Sequence, residues 1–141
     1  MYASEGGHKA IVQMLLDAKA STESIDDSGD SPLLLAARGG HEAVVQLLLD
    51  GGANVKRKNK AGRTALIYAA QRGHGGVVRL LLEKGAKMDS VNRLGHSAQY
   101  YASKGGHKET AELLQRSRQT RQGKQQAGLS GAQGILRLIN T

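Results

Sequence analysis

Four histidines at a fixed spacing are the first residues in this 141-residue chain whose type could support chemistry. His8, His41, His74 and His107 each follow a glycine and lie 33 residues apart. A shared zinc site would need their ring nitrogens to converge at about 2.1 Å from one ion. Side chains that lie one structural repeat apart along a stacked array cannot converge in this way. We therefore expect no metal site at these histidines.

Residue patterns that commonly support catalysis are missing from the sequence. It contains no nucleophile elbow, Walker A loop, HExxH pair or GxGxxG turn, and it has no cysteine. The nearest approach is Gly128-Leu129-Ser130-Gly131, in which the second glycine comes one residue too early for a nucleophile elbow. We therefore expect a non-enzymatic protein that binds no cofactor.

Positive charge is the remaining feature with functional weight, and it is unevenly distributed. The net charge is +8 in total, but residues 1–51 carry −5, residues 52–100 carry +8 and residues 101–141 carry +5. Five of the cations fall in residues 56–63, KRKNKAGR. Such a field steers an oppositely charged partner towards the basic part of the chain.

Two kinds of partner fit this charge. One is an acidic segment of another protein, and the other is a nucleic acid or another polyanion that would bind residues 56–63 and the basic C-terminal tail. Residues 56–60 would also suit a nuclear-import signal. Against nucleic acid stand the acidic N-terminal third and the small number of aromatic residues, four Tyr, which leave little for base stacking.

The 33-residue spacing extends well beyond the histidines. It recurs in alanines, leucines and glycines: Ala3, Ala36, Ala69 and Ala102; Leu15, Leu48, Leu81 and Leu114; Gly29, Gly62 and Gly95. A period of this length indicates stacked supersecondary units that bury a shared core. Residues 31–34, 64–67 and 97–100 read SPLL, TALI and SAQY, and each is followed by an alanine pair or its remnant and then by Gly-His. These blocks resemble the Thr-Pro-Leu-His motif and the following segments of ankyrin repeats.

This resemblance implies an all-α ankyrin-repeat solenoid, in which helix-turn-helix units are stacked and joined by β-turn fingers. It covers residues 1–118 as one domain. The units are a partial repeat at 1–25, repeats at 26–58 and 59–91, and a C-terminal capping repeat at 92–118. The resemblance also implies that the loop histidines are structural and bond backbone groups at the helix turn.

Within the repeats, capping residues and apolar runs predict the helices. Ser31, Thr64 and Ser97 are the expected N-caps, and Pro32 suits the first helical position. The first helices are predicted at 32–38 and 64–72, and the second helices at 42–50 and 76–84. Leu48 and Leu81 are expected in the core.

The two ends of the chain depart from a complete repeat. Residues 1–20 enter the pattern part-way through a unit and keep an apolar second helix, which indicates a fragment of a longer array whose remaining repeats would be partners; a frayed half-repeat is the alternative. Residues 119–141 are expected to be a disordered basic tail, since the chain from Ser117 to Gly134 has hardly an apolar side chain. Its apolar end, residues 135–139, could be a docking peptide or a frayed terminus.

The resemblance places partner binding on a concave surface made by the finger tips and the outer face of the first helices. The residues at those positions are Asp27, Asp30, Arg38, Lys58, Lys60, Arg63, Gln71, Arg72, Arg93, His96 and Lys104. We therefore expect a scaffold or adaptor that binds another protein there. The N-terminus has no signal region and no apolar run approaches the roughly 20 residues that span a bilayer, so we expect an intracellular protein of the cytoplasm or nucleus.

Overall fold

A computed structural model describes residues 23–129 of the chain, of which residues 121–129 are described by their backbone alone. These residues contain six helices: α1 (Pro32–Gly39), α2 (Glu42–Asp50), α3 (Ala65–Arg72), α4 (Gly75–Glu83), α5 (Ala98–Lys104) and α6 (Lys108–Leu129). Over the same range there is no β-strand, and the one β contact is an antiparallel bridge between Val91 and Ser97. The predicted all-α solenoid is confirmed. The predictions for the N-terminal half-repeat and for residues 135–139 fall outside the described residues.

The first helix of each unit begins where a hydroxyl side chain caps it. Ser31 Oγ accepts the backbone N–H of Leu34 at 3.4 Å, and Thr64 Oγ1 accepts that of Ile67 at 3.2 Å. Ser97 Oγ accepts the N–H of Tyr100 at 3.2 Å. Each bond satisfies an amide that the first turn leaves unpaired, which is why the helices start at the predicted residues.

The core is a stack of thin helical layers. The first helices pack in the order α1, α3, α5, and the second helices in the order α2, α4, α6. Leu33, Leu66, Leu48, Leu81 and Leu114 are at most 2% exposed. The two helices of a unit cannot bury their apolar faces alone, so each unit depends on its neighbours.

The loop histidines tie successive units together. His74 Nε2 lies 3.1 Å from the carbonyl oxygen of Arg38, and His107 Nε2 lies 3.0 Å from that of Gln71. In both cases the ring reaches the end of the first helix in the preceding unit. These contacts agree with the structural role that the resemblance implied.

The outer face of the last unit is polar. Gln99 and Ser103 stand where the preceding units bury Leu66 and Ala70, and Gln99 Nε2 lies within hydrogen-bond distance of Ser103 Oγ, at 3.3 Å. Polar side chains on this face let the stack meet water without exposing its core.

Helix α6 is longer than the sequence predicts. It runs for 22 residues, from Lys108 to Leu129, so residues 117–129 are helical where the sequence predicts disorder. Gln, Arg, Lys and Ala are good helix formers, and this stretch is rich in them. Arg118 also pairs with Asp89 Oδ1 at 2.7 Å, which fixes the helix against the preceding loop. The packed N-terminal half of α6 therefore continues into a segment that has few apolar residues of its own. Over residues 23–129, no helix is long and apolar enough to cross a membrane.

Candidate protein-binding surface

Each finger is a turn organised by one Asp or Asn side chain. Asn59 Oδ1 accepts the backbone N–H groups of Ala61 and Arg63 at 3.0 and 2.9 Å. The residues 33 positions away do the same: Asp26 accepts from residues 28 and 30, and Asn92 accepts from residues 94 and 96. Asx turns of this kind fix a tight bend without a sheet.

Backbone hydrogen bonds join the fingers tip to tip. Lys60 N donates to Ser28 O at 3.1 Å, and Arg93 N donates to Ala61 O at 3.0 Å. The fingers therefore form one continuous row beside the first helices. We call this row, residues 26–30, 58–63 and 91–96, together with the exposed residues of α1, α3 and α5, the finger surface.

Several cations of the basic finger bridge to neighbouring segments. Lys60 Nζ donates to Asp27 O at 2.6 Å, and Lys58 Nζ donates to Val91 O at 3.3 Å. Arg57 pairs with Glu23 at 3.1 Å. The two lysines thus tie the finger at residues 58–63 to the fingers on both sides. Contacts with carbonyl oxygens leave the lysine charges in place, so the finger remains basic.

Asp30 is a structural residue, which differs from its predicted place on the binding surface. It is 1% exposed, and its carboxylate accepts from Asn59 Nδ2 at 2.8 Å and from Tyr68 Oη at 3.2 Å. Arg38 lies 3.7 Å away and supplies an opposite charge. A buried carboxylate needs such partners, because an uncompensated charge in the interior is costly. Asp30 therefore joins the second repeat to the third and is not accessible to a partner.

Tyr68 completes this buried cluster, and its phenol is less acidic than usual. Burial is the main cause that raises the pKa of Tyr68, and the adjacent Asp30 carboxylate raises it further by charge and by hydrogen bonding. Arg63 and Arg38 act in the opposite direction. The neutral phenol is thus the form that the fold favours.

Arg63 lies between two tyrosine rings at the centre of the finger surface. Its guanidinium carbon is 5.6 Å from the ring centroid of Tyr68 and 5.7 Å from that of Tyr101. Its Nη1 donates to Gln71 Oε1 at 3.0 Å. Asn92 Nδ2 in turn donates to Tyr101 Oη at 2.7 Å, which holds the second ring. The two rings and the side-chain amide of Gln71 together fix the position of this positive charge.

Aromatic rings also pack at the fourth-repeat end of the surface. His96 stacks on Tyr100 with centroids 3.9 Å apart and planes 15° apart, and Tyr101 meets both rings edge-on. Lys104 Nζ is 3.2 Å from Tyr100 Oη and 5.5 Å from the ring centroid. The shorter distance indicates a hydrogen bond at the hydroxyl rather than a cation above the ring face.

The remaining predicted site residues differ in exposure. Exposed residues are Asp27, Lys58, Lys60, Arg72, Arg93 and Lys104, whereas Arg38, Arg63, Gln71 and His96 are half-buried. Within the described part of the chain, the side chains of Arg72 and Arg93 form no hydrogen bond or ion pair with other residues. Arg72 and Arg93 are therefore exposed cations of the finger surface whose side chains have no partner among the described residues.

Sequence reasoning missed the residues that shape this surface. Tyr68 and Tyr101 hold Arg63, while Asn59 and Asn92 each build a finger and bond the tyrosine nine residues later. Both pairs share the 33-residue spacing of the repeat, and that spacing is the signal that could have identified them.

The opposite face, formed by the second helices, has a different character. A depression between α4 and α6 is lined by cations and carboxylates: Arg79, Lys108, Arg116, Glu109 and Glu112. The two signs largely offset each other there. In the range 23–129, no group of three or more His, Asp or Glu side chains is arranged to hold a metal ion.

The repeats match a known protein family. A family model described as ankyrin repeats, in three copies, matches residues 1–92. This is more than half of the chain and includes α1 to α4 with their fingers. No curated protein matches the sequence.

Proposed function

Because the chain belongs to the ankyrin repeat family, whose members generally act as protein–protein interaction modules, we propose that it is a non-enzymatic scaffold or adaptor that binds an acidic segment of another protein on the finger surface. The partner would lie across the fingers, over the third and fourth units. This is where the accessible cations and the ordered arginine occur together.

The observation that carries this proposal is that one arginine of the finger surface is held in place and two others have no ion-pair partner in the described part of the chain. Arg63 is fixed between Tyr68 and Tyr101, so little side-chain entropy is lost when it meets a carboxylate. Arg72 and Arg93 form no ion pair within the described residues, so a partner would not have to displace an internal carboxylate. Such cations favour association by steering and by direct pairing.

The nucleic-acid alternative rests on the same charge and would need the basic finger to face a phosphate backbone. The contacts of Lys58 and Lys60 with carbonyl oxygens leave their charges available to either ligand, but bases would find few exposed aromatic rings to stack on. This scarcity of rings favours the protein segment. A short single-stranded DNA is nonetheless the right competitor in the test.

The test compares charge reversal on two faces. Arg72→Glu with Arg93→Glu changes the finger surface, and Arg79→Glu with Lys108→Glu changes the opposite face by the same total charge. Binding of the full chain to a fluorescent 12-residue glutamate-rich peptide is measured by anisotropy. We expect the first pair to weaken binding at least tenfold, about 1.4 kcal/mol, and the second pair to have little effect.

Lys60 is deliberately left unchanged, because Lys60→Glu would also break the contact with Asp27 O and confuse folding with binding. Equal losses from both pairs would mean that only the overall charge matters, which contradicts a site on the finger surface. Tighter binding to a 12-nucleotide single-stranded DNA, with a steep dependence on salt, would favour the alternative.

A further inference from the structure

Exposed apolar side chains are concentrated at one end of the finger surface. Over the described residues, four large hydrophobic side chains are exposed: Ile25 at 48%, Val91 at 41%, Leu94 at 72% and Tyr100 at 37%. Three of these four lie between residues 91 and 100. Single exposed apolar residues are ordinary, but several in one place on a monomer mark a contact site.

The Tyr100 ring is held in place before any partner arrives. It stacks on His96 at 3.9 Å, meets Tyr101 edge-on at 5.3 Å and accepts a hydrogen bond from Lys104 Nζ at its hydroxyl. An ordered and partly exposed ring offers contact area at low entropic cost. We call Val91, Leu94, His96 and Tyr100 the aromatic corner.

The aromatic corner is surrounded by positive charge. Arg93 precedes Leu94 on the same finger tip and forms no ion pair within the described residues, and Lys104 lies beside the ring. The nearest acidic residue in sequence, Asp89, is already paired with Arg118 at 2.7 Å. The exposed Ile25, by contrast, directly precedes Asp26 and Asp27. Within residues 23–129, positive charge and exposed apolar surface therefore coincide at the C-terminal end of the finger surface.

We propose that the aromatic corner binds an aromatic side chain carried by the same acidic segment that the finger surface receives. The carboxylates of the segment meet Arg72, Arg93 and Arg63, and its ring packs against Leu94 and Tyr100. This inference rests on the proposed function and adds a chemical requirement to it. An acidic run alone leaves the aromatic corner uncovered. An aromatic residue alone leaves the arginines without carboxylate partners.

The first experiment asks which peptides the protein selects. A library of random 12-residue displayed peptides is panned against the full chain, and the enriched sequences are read. We expect enrichment of peptides that combine an acidic run with Trp, Phe or Tyr. Acidic peptides without aromatic enrichment would overturn the aromatic corner and leave the proposed function standing. Enrichment of neutral or basic sequences, or of none, would overturn both.

The second experiment locates the contact with the best selected peptide. Leu94→Ser is expected to weaken binding about tenfold, whereas Ile25→Ser, a similar change at an exposed finger residue in acidic surroundings, leaves it unchanged. Replacing the peptide's aromatic residue by Ala should cause a similar loss with the native protein but little further loss with Leu94→Ser. Such non-additivity identifies a direct contact.

Tyr100→Ala serves as a second variant, and its melting temperature is measured alongside, because the ring also packs on His96. Leu94→Ser leaves that stack intact, so its result does not depend on folding. Equal effects of Leu94→Ser and Ile25→Ser would contradict the proposal.

Discussion

The loop glycines leave room for contacts between units because they have no Cβ. Gly73 has a φ of +72°, and a Cβ added there would lie 2.5 Å from His107 Nδ1. The same imidazole bonds Gln71 O through its other nitrogen. The glycine thus provides both the left-handed turn and the space for the histidine of the next unit.

Gly73→Ala is expected to destabilise the protein by about 2 kcal/mol. The left-handed conformation costs an L-residue roughly 1–2 kcal/mol, and displacement of His107 removes a hydrogen bond worth about 1 kcal/mol. Urea unfolding followed by circular dichroism measures this change.

Gly76→Ala is the matched control, three residues along the chain. Gly76 lies in the first turn of α4 without a positive φ, and a Cβ there would meet the carboxylate of Glu42, the mobile end of an exposed side chain. Since the carboxylate can move away and alanine favours the helix, stability should be unchanged or rise by up to about 1 kcal/mol. A loss at Gly76 as large as that at Gly73 would contradict this explanation.

The buried cluster of Asp30 and Tyr68 should make the stability of the fold fall at alkaline pH. The pKa of Tyr68 is raised in the folded state, chiefly by burial, so the unfolded chain releases this proton at a lower pH than the folded protein does. The stabilisation from the neutral phenol is therefore complete below the ordinary tyrosine pKa of about 10 and is lost as the pH rises above it.

Unfolding free energies measured from pH 8 to about pH 11 test this effect. Native protein should lose stability more steeply with pH than Tyr68→Phe, whose ring cannot ionise. The comparison between the two proteins is needed because lysines also titrate in this range. Parallel curves for the two proteins would show that Tyr68 does not contribute.

At the level of elements, the sequence predicted the helices well because each has a local signal. Ser31, Thr64 and Ser97 begin their helices as expected, and the observed ends of α2 and α3 agree with the predicted ends. These boundaries depend on capping chemistry within a few residues, which a single sequence records directly.

The sequence misleads where distant parts of the chain decide the outcome. The position of Asp30 in the finger predicts a surface residue, but Asp30 is buried because Asn59 and Tyr68 of the next unit reach it. The polarity of residues 117–129 predicts disorder, but these residues continue a helix whose first turns are packed through Leu114. Helix growth from an existing nucleus is far easier than helix initiation, and composition does not report it.

The packing of the second helices in the core can be tested at Leu81. Leu81 is fully buried between α4 and its neighbours, so Leu81→Ala should cost roughly 2–5 kcal/mol. Leu94→Ala makes the same change at a side chain that is 72% exposed and should cost less than about 0.5 kcal/mol. Thermal melting of the two variants checks both values, and a melting temperature for Leu81→Ala within a degree or two of the native value would mean that the helix register is wrong.

For the molecule as a whole, the central question is whether charge acts through a site or through the overall field. The chain changes from a net −5 over residues 1–51 to a net +8 over residues 52–100, so any acidic ligand is drawn to the same half. The two faces of that half differ, however. The finger surface has ordered or unpaired arginines, while cations and carboxylates are mixed between α4 and α6.

The most direct measurement of this claim is a map of backbone amide chemical shifts during titration with the selected acidic peptide. We expect the largest changes on residues 61–63, 71–72, 93–96 and 98–101, and little change in α4 and the first turns of α6. The strongest shifts on residues 75–83 and 108–116, or shifts spread evenly over both faces, would contradict a binding site on the finger surface.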